Sequence, residues 1–153
     1  MKLTEYHPSF ASMVENYYIA DTTYTGRPAE AVIISRDQPD YHSILCIEQE
    51  QLVTFFVLDG GADKYKYTNN PNSFLLRSFS TDTRQTRKGY GKMTLTELPY
   101  FVKHHYPHIN EIVLGVNEKN TPAIRLYENN GFHDTLQVFK GRLGNQKILS
   151  MNV

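Results

Sequence analysis

The period of the apolar positions changes repeatedly along this chain, and each change marks an element. Lys2–Tyr6 reads as a first strand. Pro8 then opens a helix to about Ile19, with Phe10, Met13, Val14 and Tyr17 on one face. Asp21–Arg27 is loop-like, and Pro28–Ile34 forms a second, short helix. Ser43–Glu48 and Leu52–Leu58 are extended apolar runs around a turn at Glu48–Gln51, which predicts a hairpin. Gly60 and Gly61 open a polar stretch without a core pattern that continues to Asn72, a long connection of the kind that is often functional or mobile. Phe74–Phe79 is a fourth strand. Gly91–Tyr106 has helical spacing at Leu95, Leu98 and Val102, and Pro99 predicts a kink at Leu98. Glu111–Asn117 is a fifth strand. Thr121 caps a short helix that Pro122 starts and Gly131 ends. Leu136–Lys140 and Gln146–Asn152 close the chain as a hairpin around Gly141–Asn145. The predicted order is β-α-α-β-β-β-α-β-α-β-β. No repeat or linker divides the 153 residues, so one domain of the α/β (α+β) class is expected over 1–153.

Two segments carry candidate chemistry. Phe74–Lys92 passes from a strand through a basic turn to a helix start marked by Gly89 and Gly91 around Tyr90. A helix N-terminus offers free N–H groups and the positive end of a dipole. Glycine lets that backbone approach a bulky anion, and Arg84, Arg87 and Lys88 add full charges. The reading is a phosphate or pyrophosphate site, set against a plain capped helix with solvated basic residues. The segment contains neither GxxxxGK[ST] nor GxGxxG, which speaks against a P-loop or a dinucleotide fold. In Asn117–Phe132, Tyr127 lies on the short helix after the fifth strand, where a tyrosine that merely fills the core is the alternative to a catalytic one.

Together the two segments resemble the GNAT superfamily of N-acetyltransferases. That family's acetyl-CoA loop, Q/R-x-x-G-x-G/A, matches Thr86-Arg87-Lys88-Gly89-Tyr90-Gly91, with Thr86 departing at the Gln/Arg position. The family pattern N-x-x-A-x-x-x-Y-x-x-x-G-F matches Asn120, Ala123, Tyr127, Gly131 and Phe132. The likeness covers the chain from Phe74 onward by motif and the first half by element order, and is nearest to bacterial diamine or polyamine acetyltransferase-like members. It implies a mixed sheet of about seven strands, splayed between strands 4 and 5. It also implies acetyl-CoA as cosubstrate, no metal, and a small-molecule or peptide amine as acceptor. The cofactor residues it implies are Ser78, Phe79 and Ser80 on the fourth strand, Arg84, Thr86, Arg87, Lys88, Gly89, Tyr90, Gly91 and Lys92 in the loop, and Asn117, Asn120 and Ala123 downstream. Tyr127 takes the role of general acid toward the leaving thiolate. A homodimer is compatible with it.

Composition narrows the remainder. Formal net charge is zero, so no global field draws nucleic acid or an anionic membrane. No apolar run is long enough to span a bilayer, and Met1-Lys2-Leu3-Thr4 does not begin a signal peptide. The single cysteine, Cys46, lies in the apolar run Ile44–Ile47 and reads as a buried hydrophobe; a cytoplasmic location follows most simply. His104, His105 and His108 cluster near a helix end, but Pro107 interrupts their face and no carboxylate or cysteine completes a zinc set.

An amine that attacks a thioester must be neutral, the charge developing on the acyl oxygen needs hydrogen-bond donors, and the departing thiolate needs a proton. A tyrosine with an ordinary pKa near ~10 can donate to a thiolate near ~8.5 at modest penalty. Polyamine-acetylating relatives place a carboxylate base on the fourth strand, where this chain has Leu76 and Arg77; Glu48, Asp59 or another carboxylate acting through a water chain is the remaining option. Strict alternation along that strand sets Arg77 and Phe79 on one face and Leu76, Ser78 and Ser80 on the other. Arg77 either pairs with an acid such as Glu111 or Asp59, or reaches the acceptor cleft and binds a substrate carboxylate. The competing function class is a non-catalytic acetyl-CoA sensor or interaction module.

Overall fold

The computed structural model describes residues 1–153 and contains a single seven-stranded sheet in the order β1-β2-β3-β4-β5-β7-β6. The strands are β1 (Lys2–Glu5), β2 (Tyr41–Glu48), β3 (Gln51–Asp59), β4 (Ser73–Thr81), β5 (Glu111–Asn117), β6 (His133–Gly141) and β7 (Gly144–Asn152). Helices α1 (Ala11–Asn16) and α2 (Pro28–Ser35) cover one face of the sheet. Helices α3 (Tyr90–His105) and α4 (Thr121–Glu128) cover the other. β3 is apolar at almost every position because both of its faces are covered: Phe55 and Val57 join the α1/α2 core, Phe56 and Leu58 the α3/α4 core.

Antiparallel neighbours run from β1 to β4, and the single parallel pair, β4 with β5, is short. Ser73, Phe74 and Leu75 pair with Glu111, Ile112 and Val113, and the register ends there. From Leu76 onward β4 leaves β5, while β5 stays paired with β7 along its full length. The expected splay between strands 4 and 5 is therefore present, and it opens at Leu76.

Several boundaries differ from the sequence reading. The first helix is shorter than expected: a 3-10 turn at Pro8–Phe10 precedes α1, which stops at Asn16. Tyr17 is extended, with φ −71° and ψ 132°, and both Tyr17 and Ile19 are buried in the α1/α2 core. The apolar spacing continued, but the last two apolar residues serve a strand-like segment. The β2–β3 turn places Gln49 and Glu50 at φ 49° and 63°, the left-handed pair of a tight hairpin turn. The polar stretch after Gly60 is built rather than open. It holds a 3-10 turn at Ala62–Lys66, and buried Lys64 donates from Nζ to the carbonyls of Pro71 and Ser73. α3 begins at Tyr90, with Gly89 as its left-handed cap, and continues through Pro99. Asn120, rather than Thr121, occupies the cap position of α4, without a side-chain cap bond. The closing hairpin is tighter than Gly141–Asn145: Gly141 pairs with Gly144, leaving Arg142 and Leu143 as the turn.

Strict alternation along β4 does not hold. Ser78 has φ 52°, and the register against β3 shifts between Phe55 and Val57. This bulge inserts a residue and reverses the facing beyond it. Phe79 accordingly joins Leu76 in the α3/α4 core, stacked on Phe56 with centroids 6.0 Å apart, while Arg77 points to the other side.

Candidate active site

A cavity of about 720 Å³ occupies the gap opened by the splay. β4 contributes Leu76, Arg77, Ser78 and Phe79, and β5 contributes Leu114 to Asn117. α4 adds Asn120, Ala123 and Tyr127 from one side. The α1–α2 loop (Asp21 to Arg27), Glu30 and the β6–β7 turn (Arg142, Leu143) with Gln146 close the other. The fold thus brings Arg77, Ser78, Phe79, Asn117, Asn120, Ala123 and Tyr127 to one place. The basic loop, the Ser80 side chain and their neighbours lie outside it.

Tyr127 is half-buried and stands edge-on to Phe79 and Phe132, with centroids at 5.8 and 5.6 Å. Burial alone pushes its hydroxyl above the usual tyrosine range; no protein hydrogen bond or charge contributes. The ring is locked by aromatic neighbours while its hydroxyl is uncommitted, which suits a proton donor to something in the cavity. The Asn117 side chain is partly spent on structure: Nδ2 donates to the Leu143 carbonyl at 3.1 Å, and Oδ1 accepts from the Lys119 N–H at 2.9 Å. Ser80 is likewise committed, with its Oγ 2.8 Å from the buried Tyr17 hydroxyl. The backbone groups of β4 beyond Leu75 on the β5 side have no strand partner, leaving an edge that amides of a linear ligand can pair with.

The loop from Thr86 to Lys92 leads into α3. None of its N–H groups finds an acceptor within the protein. Gly89 at φ 81° and Arg87 at φ 64° turn the backbone so that this row of donors runs into the first turn of α3. A row of orphan donors at a helix N-terminus is the arrangement a pyrophosphate requires. The arrangement therefore fits coenzyme A. Arg87 and Lys88 are exposed; Lys88 Nζ donates to Gln85 Oε1, and the Thr86 hydroxyl donates to the Thr83 carbonyl. Arg84 differs from its neighbours, because its Nε and Nη2 both donate to buried Asp82. Gly91 has a reason besides anion approach: a Cβ there would stand 3.3 Å from Leu126 of α4, so the glycine lets the two helices meet.

Arg77 resolves toward an internal ion pair. Its Nη1 donates to Asp59 at 2.9 Å and to Asp63 at 2.8 Å. Burial opposes its charge, but the two carboxylates outweigh it and raise its pKa. Asp59 is thereby occupied, and Glu48 pairs with the N-terminal ammonium at 2.8 Å, so neither base considered from sequence faces the cavity. The carboxylates that line it are Asp21 and Glu30. Asp21 is held below the usual carboxylate range by the Thr23 hydroxyl and N–H. Sequence reasoning passed over both residues, since only the fold carries the α1–α2 loop over the splay. It also missed Tyr67, which donates to Gln146 Oε1 at 3.2 Å and packs where a Cβ on Gly115 would come within 2.6 Å.

No three His, Cys, Asp or Glu side chains gather as a metal site, and no helix is long and apolar enough to cross a membrane.

Residues 11–132 match the Acetyltransferase (GNAT) family. The chain is 31% identical over 152 residues to an uncharacterized N-acetyltransferase, YbbJ, of Bacillus subtilis (strain 168), covering 97% of this chain and 95% of that protein. In fold it is similar to the aminoglycoside acetyltransferase AAC(6')-Ib in complex with paromomycin and acetyl-CoA. The TM-score there is 0.77 at 16% identity, over 99% of this chain and 92% of that one. It is also similar to a chimera of the Vibrio cholerae spermidine N-acetyltransferase SpeG with hSSAT, with TM-score 0.70 at 14% identity over 99% and 94% of the two chains. The chain belongs to the GNAT family of acetyltransferases and is an acetyl-CoA-dependent N-acetyltransferase.

Proposed function

We propose that the protein acetylates a primary amine of a small molecule, with Tyr127 as the general acid. The observation that carries this reading is the uncommitted Tyr127 hydroxyl on a cavity that runs from α4 to the α1–α2 loop. Bound acetyl-CoA supplies an acyl thioester, an electrophile for a neutral amine. Thr86 to Lys92 hold its phosphates through backbone N–H groups, and the free edge of β4 from Ser78 to Ser80 pairs with its amides. Arg84 belongs to this loop as a brace. Ala123 and Asn120 line the cavity beside Tyr127, which holds a proton at Oη where the departing sulfur needs one. Burial keeps that proton in place across the neutral range and makes Tyr127 a weaker acid than an ordinary tyrosine, so transfer waits until the sulfur's charge develops beside it. Phe79 and Phe132 exclude water from the same spot.

Asp21 and Glu30 at the acceptor end, beside Arg27 and Arg142 of the same lining, offer partners to an amine that carries positive charge, as the aminoglycoside and spermidine enzymes of similar fold act on. Arg77 is neutralised by two carboxylates, so it does not repel such an amine. The test is release of free thiol from acetyl-CoA with a panel of diamines, polyamines, aminoglycosides and amino acids. Turnover with cationic amines is expected, with lysine poorer than cadaverine. Thiol release with lysine but not with cadaverine overturns the charge assignment. Binding of acetyl-CoA with no turnover across the panel overturns the enzymatic reading in favour of a sensor.

A further inference from the structure

The acceptor loop is moored to the cofactor loop through three consecutive residues, Asp82, Thr83 and Arg84. Asp82 is buried at 2% exposure and stands at the end of β4. Its Oδ2 accepts from the Tyr18 N–H at 3.0 Å and from Arg84 Nη2 at 2.6 Å; its Oδ1 accepts from the Arg84 N–H at 2.9 Å and Nε at 3.0 Å. The Thr83 N–H donates to the Tyr18 carbonyl at 2.8 Å, and the Thr83 hydroxyl accepts from the Ala20 N–H at 2.9 Å. Arg84 Nη2 also donates to the Asn16 carbonyl at the end of α1. Beyond Ala20, the loop residues Asp21 to Gly26 make hydrogen bonds only among themselves until α2 begins. The moorings at Tyr18 and Ala20 are therefore the last fixed points before the residues that line the acceptor end of the cavity. On the other side, Arg84 stands two residues before the row of free N–H groups that starts at Thr86.

We infer that Asp82 is a positioning residue that couples the two loops, so that occupancy of the Thr86–Lys92 row by coenzyme A orders the acceptor loop from Tyr18 to Arg27. Coupling follows because one buried carboxylate fixes both segments: a ligand that holds Arg84 and its neighbours still also holds the groups to which Tyr18 and Ala20 are bonded. A site that two ligands share through one ordered element shows reciprocal coupling, typically of order 5- to 150-fold. The packing of Tyr17 against Ser80 adds a second tie at the same end of β4, 2.8 Å between hydroxyl oxygens. The inference rests on assigning the cofactor to Thr86–Lys92.

The experiment is hydrogen–deuterium exchange on the intact protein with and without saturating coenzyme A, in wild type, Asp82→Asn and Thr83→Val. In wild type, exchange is expected to slow at 86–92 and also, by roughly fivefold or more, at 18–27. In Asp82→Asn the protection at 86–92 should persist while that at 18–27 is largely lost; in Thr83→Val, which keeps both bonds to Tyr18, the loss should be confined to 20–27. Thr83→Val removes the Ala20 mooring at an exposed position and leaves the buried carboxylate alone, so it carries the test if Asp82→Asn fails to fold. Wild-type protection confined to 86–92, or variants that keep it at 18–27, overturns the coupling. Absence of protection at 86–92 in wild type overturns the cofactor assignment itself, and the coupling with it.

Discussion

Phe79 and Tyr127 meet edge to face across the mouth of the β4–β5 gap, with ring centroids 5.8 Å apart and planes at 69°. The contact exists because the bulge at Ser78 turns Phe79 back toward the α3/α4 face. It holds the catalytic candidate by its ring and leaves the hydroxyl free.

Tyr127→Phe keeps both aromatic contacts and removes only the hydroxyl that carries the proton. Coenzyme A affinity measured by calorimetry is expected to stay at the wild-type level, while kcat falls by roughly 10²-fold or more. Because burial raises the Tyr127 pKa, ionisation of this residue should produce no alkaline loss of kcat below the ordinary tyrosine value near ~10. An unchanged kcat under conditions where chemistry limits the rate returns Tyr127 to a packing role.

Gly91→Glu places a carboxylate beside the row of free N–H groups and a Cβ 3.3 Å from Leu126. Coenzyme A binding is expected to weaken by at least about tenfold, one unit of charge repulsion at short range. Gly91→Ala separates the two effects: its cost should appear in thermal stability, with affinity nearly kept. Wild-type affinity in a folded Gly91→Glu protein would displace the phosphate site from this loop.

Arg77→Met leaves Asp59, at 5% side-chain exposure, without its cationic partner. Asp59 keeps the Gly61 N–H as a donor. Denaturant unfolding is expected to show a loss of roughly 1–3 kcal/mol, and Asp59→Asn on the same background should recover part of it. Arg77, then Lys66, hold Asp63 below its ordinary pKa in the folded state. A folded-state pKa that is depressed means the unfolded chain binds the proton first, so this stabilisation is present above the ordinary aspartate value near ~3.9 and is lost as pH falls through the lower folded value. In Arg77→Met that acid-side loss should shrink; an identical acid profile would show that the pair contributes nothing measurable.

Cys46 is fully buried, and burial raises its thiol pKa. Native protein should react with a thiol reagent far more slowly than unfolded protein, since both access and thiolate fraction are low. Stoichiometric labelling of the native state within the mixing time would contradict the packing around β2, and it would also add a background to every thiol-release assay.

The glycine-marked start of α3 and the short helix within Asn120–Phe132 were legible in sequence because their geometry is local. A helix start with glycine before it, and a tyrosine seven residues after an asparagine, are set by backbone geometry over a few residues. The sheet was legible for the same reason, since the apolar runs of β2, β3, β4 and β5 record burial directly. Tertiary structure alone decided the rest. Continuous apolar spacing hid the end of α1, because Tyr17 and Ile19 stay buried after the helix stops at Asn16. The left-handed Ser78 reversed the facing of β4, and nothing in the Ser78 side chain announces a positive φ. Asp59 and Asp63 claimed Arg77 from 18 and 14 residues away, and Asp82 tied the Arg84 fork to a segment more than 60 residues earlier. Local sequence fixes the conformations that short-range sterics and burial reward. Which charges neutralise each other, and which loop closes over the cavity, depend on distances that only the folded chain creates.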